Sequence, residues 1–147
     1  MNIPNTVRLT KGKLYIILSF ILWLIAEYVT VWHARLGEWI SLMPYVFIQY
    51  LVIILIFYYF IFRKKLSEKG VFIVMLVVMY FFEILWQNPL LLNVFLFIPS
   101  SLLLISIWGF VTFIPLWVVK KSLQKHKIQA VYYSLWIVVA LITYLLT

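Results

Sequence analysis

The sequence predicts an all-α fold: a polytopic membrane helical bundle of five transmembrane helices, with a cytoplasmic N-terminus and the C-terminus outside. Three observations lead there. Of 147 residues, 67% are hydrophobic and only 11% are charged, and the mean hydropathy is +1.12. That is more apolar surface than one soluble core of this size can bury. The apolar residues fall in runs of about 20, the length of helix that crosses the hydrocarbon layer. They lack the in–out alternation of a membrane β-barrel. Finally, the basic residues gather at alternate ends of these runs.

The elements follow in order. The opening MNIPNTVRLTKGK is polar and basic, like the n-region of a signal peptide. The apolar segment behind it exceeds an h-region of about 7–15 residues, and no A-x-A-like site follows, so an uncleaved first span is expected. It runs from Leu14 to Ala34. The polar turn RLGE leads to a second span, Trp39 to Phe62, which ends at RKKLSEKG. A third is expected from Val71 to Asn93, kinked at Pro89, with Gln87 and Asn88 helping to satisfy the carbonyl that proline frees. The other reading of Pro89 to Pro99 is an interfacial or re-entrant segment on the outer side. Pro99, Ser100 and Ser101 read as the start of the fourth span, since proline suits a first turn and serine a cap. That span reaches Val119 and ends at KKSLQKHK, and the fifth covers Gln129 to Leu146. All 147 residues thus form a single integral membrane domain, without internal repeats or low-complexity tracts.

Charge sets the expected orientation. Arg8, Lys11 and Lys13 precede the first span; Arg63, Lys64, Lys65 and Lys69 follow the second; Lys120, Lys121, Lys125 and Lys127 follow the fourth. These are 11 of the 12 basic residues, and only Arg35 lies on the opposite side. The positive-inside rule places the eleven in the cytoplasm. A net charge of +8 would suggest nucleic acid in a soluble protein. Here topology and contact with anionic lipid account for it, and no nucleic-acid partner is expected. The expected location is the cell membrane. No cysteine is present, which excludes disulfides, thiolate metal sites and thiol catalysis.

The candidate site comes from the acids. All four are glutamates. Glu38 and Glu68 fall in expected loops, whereas Glu27 and Glu83 fall within spans, their most costly location. No lysine or arginine lies at their depth in the sequence. Counted at about 1.5 Å per residue, Glu27 lies roughly 20 Å and Glu83 roughly 18 Å from the inner boundary. Gln49 lies about 15 Å below the outer surface, so all three share one layer near the midplane. Helical spacing adds neighbours. Ser19, Trp23, Glu27, Thr30 and Ala34 form one stripe; Ser41, Tyr45 and Gln49 a second; Tyr80, Glu83 and Gln87 a third; Tyr133, Trp136, Ala140, Thr143 and Thr147 a fourth. Bundle interiors are built from such stripes. The expected ligand-binding set is therefore Trp23, Glu27, Gln49, Tyr80, Glu83 and Gln87, and Glu27 and Glu83 are the candidate acid and base if the protein is catalytic. Against this stands a structural reading, in which the polar groups hydrogen-bond between helices at about 0.6 kcal/mol each.

Other residues are read more plainly. His33 belongs to the outer end of the first span, and His126 is expected to be solvated in the inner basic loop. Trp32, Trp39 and Trp86 suit the outer aromatic belt and Trp117 the inner one. Trp23, Trp108 and Trp136 lie deeper, as core filling or pocket walls. No ligand spacing supports a metal site, no cofactor is implied, and the motifs of zinc proteases, serine hydrolases and P-loop proteins are absent. The leading expectation is therefore non-enzymatic: a small protein of the lipid bilayer that binds a lipid-soluble or cationic ligand, or a partner membrane protein, through its glutamate layer. The alternatives are a cofactor-independent isomerase or cyclase acting on an isoprenoid or lipid, or a proton- or cation-coupled carrier, which five spans would serve best as a homo-oligomer.

Overall fold

The computed structural model describes residues 10–32, 35–87 and 93–146. Three helices begin where the sequence offers a side-chain acceptor to their free N–H groups. The Thr10 hydroxyl accepts from the Lys13 backbone N–H (3.4 Å) at the start of α1, Lys11–Glu27. Ser67 accepts from Gly70 (3.2 Å) at the start of α3, Glu68–Met79. Asn93 accepts from Phe95 (3.0 Å) at the start of α4, Val94–Val119. Between them lies α2, Leu36–Tyr58, and a single 3-10 turn, Leu123–His126, leads into α5, Lys127–Leu146. The first three helices each continue as π-helical turns, over Tyr28–Trp32, Tyr59–Arg63 and Tyr80–Gln87. Near the first of these, the Thr30 hydroxyl donates to the Ala26 carbonyl at 2.7 Å. That supplies a partner where the backbone register changes.

All described elements are helical, and three stretches are long and apolar enough to cross a membrane: Lys11–Thr30, Leu36–Arg63 and Phe97–Val119. The fourth helix departs from its expected boundary. It starts at Val94 rather than near Ser101, because Asn93 already provides the cap, and the helix runs on through Pro99 although that residue has no N–H for the Phe95 carbonyl. Val94 to Ile98 therefore belong to α4 and not to an extension of the preceding helix. The expected kink at Pro89 lies outside the described residues.

The fourth helix is the hub, packing against α1, α3 and α5, while α2 lies along α1. Trp108, Val111, Thr112 and Leu116 on α4 are fully buried, together with Tyr15, Phe57, Met75 and Met79 from its neighbours. At Gly109 an added Cβ would sit 2.6 Å from the Tyr133 ring, so the missing side chain lets α5 lie directly on the α4 backbone. The outer faces are apolar as well. Ile17, Ile21 and Ile25 on α1, and Ile73 and Val77 on α3 with Phe81 in the π-helical turns after it, recur every fourth residue and are all exposed. A face of that kind suits hydrocarbon rather than water.

Two expected stripes are rotated. On α2, Ser41 is exposed and Tyr45 is 75% exposed; the buried face is Tyr50, Ile53, Ile54 and Phe57. The second half of α2 makes the core contacts, and Ser41 is satisfied locally, donating to the Glu38 carbonyl at 2.7 Å. On α5, Tyr133 is buried and Ala140 partly so, but Trp136 is 39% exposed and Ile137 turns inward instead. The docking of Tyr133 on Gly109 sets that rotation, since position i+4 stays on the same face more closely than i+3. The Thr143 side chain and Thr147 lie outside the described residues.

Candidate functional site at a carboxyl pair

Glu27 ends α1 where the chain passes into π-helical turns, and Glu83 lies within the π-helical turns that follow Met79. Such turns re-aim side chains and frequently mark functional positions. The two glutamates come close enough to act on each other electrostatically, and both act on Tyr50. Tyr50 lies beside Glu27. The Trp108 indole N–H donates to Glu83 Oε1 at 3.1 Å. Four helical segments thus converge on one polar layer.

Aromatic rings enclose it. Trp23 stacks on Tyr50, with centroids 4.7 Å apart and planes 19° from parallel. It meets Trp108 edge to face at 5.1 Å and 83°, and Phe57 meets Trp108 at 6.3 Å. The rings fix one another: Trp108 is 1% exposed and Tyr50 is 4% exposed, so neither can swing away without opening the core. Glu27 and Glu83 themselves keep partial access, so the layer is not sealed.

Of the sequence-predicted set, Trp23, Glu27 and Glu83 come together in this layer. Tyr80 is adjacent: its hydroxyl donates to Ser101 Oγ at 3.0 Å and its ring stacks on Phe97 at 5.8 Å, which ties the π-helical end of the third helix to α4. Gln49 is partly buried; the adjacent Tyr50 is buried in the layer beside Glu27. The Gln87 side chain and His33 lie outside the described residues. Sequence reasoning missed Tyr50 as a member of this layer and Trp108 as a donor to Glu83. A usable signal was their position, since both carry a polar tip inside an apolar run and Tyr50 is one residue from the layer already counted at Gln49.

The other end of the bundle corrects two expectations. His126 is not solvated: it stacks on Trp117 at 4.6 Å and 3°, and its Nε2 lies 3.4 Å from Glu68 Oε2. Trp117 is not an interfacial belt residue either, being 3% exposed and stacked on Tyr133 as well. The cause is the turn after α4. Lys121 adopts a left-handed backbone (φ 56°), and the Ser122 N–H returns to the Trp117 carbonyl at 2.8 Å, which folds the 3-10 turn back over the indole.

Among the described residues no group of three or more acidic or histidine side chains could hold a metal ion. No protein-family model matches the chain, nor does any curated protein or solved structure.

Proposed function

We propose that this chain is a five-span membrane protein that binds a cation at the Glu27–Glu83 pair: a proton at rest, and a lipid-soluble cation as ligand. One observation carries the reading, namely that Glu83, held by the Trp108 indole, and Glu27 share one layer with Tyr50 among packed aromatic rings. Two carboxyls in one largely apolar layer attract a cation, which relieves their repulsion.

Five spans fit the dimensions. The third helix with its π-helical turns, Glu68–Gln87, and α5 at 20 residues are each about 30 Å long, as the other spans are at least. Ring contacts support a cytoplasmic N-terminus and an outer C-terminus. Tyr15 meets Phe62 at 5.6 Å, Phe72 meets Phe113 at 6.3 Å, and Glu68 meets His126. The start of α1, the α2–α3 turn and the α4–α5 turn, with their lysines, therefore gather toward one end. The cell membrane is the location this reading assigns.

Tetraphenylphosphonium is a suitable probe, titrated into purified protein while tryptophan fluorescence and released protons are followed. Wild type is expected to bind it with proton release. Glu27→Gln and Glu83→Gln are each expected to lose about tenfold in affinity, or about 1.4 kcal/mol, and the double variant to release no proton. Unchanged binding by folded double variant would end the proposal, and lower melting temperature with unchanged binding would assign the pair to helix packing.

The same enclosure favours a second reading, since aromatic faces beside a protonated carboxyl suit a cationic intermediate on an isoprenoid. Turnover of an isoprenoid substrate by wild type, lost in Glu83→Gln, would favour it over simple binding.

A further inference from the structure

We infer that the groove between α4 and α5 binds one anionic phospholipid, its acyl chain lying along α5 and its phosphate at Lys127 and Gln124. The groove has a volume of about 600 Å3. Its apolar walls are Ile114 on α4 and Val131, Leu135 and Val138 on α5, and its polar end is Gln124 with Lys127. Lys127, Val131, Leu135 and Val138 follow one another at i+4 or i+3 and share one face. From Lys127 to Val138 the helix rises about 16 Å, close to half of a hydrocarbon layer about 30 Å thick. An acyl chain of one leaflet matches that length, and the polar end falls where its headgroup would lie.

Charge selects the headgroup. No acidic residue lines the groove. Lys120, Lys121 and Lys125 are exposed on the turn beside it, and the N-terminal end of α5 adds partial positive charge. A phosphate without a compensating ammonium complements this end; a zwitterionic headgroup would bring its own cation against four lysines. The groove is independent of the carboxyl pair and relies only on the helices lying within a bilayer.

Native mass spectrometry of the full chain, with equimolar dioleoylphosphatidylglycerol and dioleoylphosphatidylcholine in detergent, tests the inference. Wild type is expected to retain the anionic lipid in preference by about fivefold, the effect of one lysine near a membrane surface. Lys127→Gln should bring retention toward parity, whereas Lys69→Gln, away from the groove, should keep the preference. Ser134→Phe, which fills the groove, should lose both lipids; circular dichroism shows whether it folds, and the Lys127→Gln comparison stands without it. Equal retention of the two lipids by wild type would overturn the assignment. So would an equal loss of preference in Lys69→Gln, which would mark diffuse attraction. Displacement of the lipid by glycerol phosphate, which has no chains, would reduce the site to a phosphate contact and overturn it as well. A lipid-free dimer would instead give the groove to a second copy of this chain.

Discussion

Trp108 carries the core and the candidate site at once. Its ring touches Trp23 and Phe57 while its N–H holds Glu83 at 3.1 Å. Trp108→Phe keeps an aromatic ring and removes the donor to Glu83. The expected loss is about 1–3 kcal/mol of stability, read as a lower melting temperature in detergent. Combined with Glu83→Gln it should be non-additive, with a coupling of about 0.5–3 kcal/mol; additive losses would show that the bond contributes nothing. At this scale the glutamates were legible in the sequence because a carboxylate stands out in an apolar run. Tyr50 and Trp108 were not, because 20% of the chain is aromatic and nothing in composition distinguishes a donor ring from a filler ring.

Between elements, close approach and turn geometry decide the packing. Gly109 admits the Tyr133 ring, so Gly109→Ala should push α5 off α4 and cost about 1–3 kcal/mol by overpacking, again seen as a lower melting temperature. Lys121 lies in a left-handed conformation that costs a side-chain-bearing residue roughly 1–2 kcal/mol relative to glycine. Lys121→Gly should therefore stabilise the turn by a comparable amount, and a drop in thermal stability would show that the lysine side chain makes a compensating contact. Helix existence was legible here from runs of apolar residues. The start of α4 was misread because Pro99 is the louder local signal, yet the Asn93 cap lies earlier and the helix continues through the proline despite the backbone bond it removes. The inward face of α2 was misread because small and polar residues were assumed to point inward, while Ser41 satisfies itself on its own helix.

For the molecule as a whole, the charge distribution makes a prediction independent of any site. A reporter enzyme fused after Thr147 should be active only outside the cytoplasm, and one inserted at Ser67 only inside. The reverse pattern would invert the bundle. The sequence by itself determined that the chain is helical, that several of its helices can cross a bilayer, and that Glu27 and Glu83 lie within apolar runs. Those properties follow from local composition over about 20 residues. Only the tertiary structure decided that Glu27 meets Tyr50, that Glu83 meets Trp108 25 residues away, that Tyr133 docks on Gly109, and that His126 stacks on Trp117. The reason is rotational. A few tens of degrees about a helix axis exchange one face for the next, and that angle is set by how neighbouring helices interlock, which no single segment encodes.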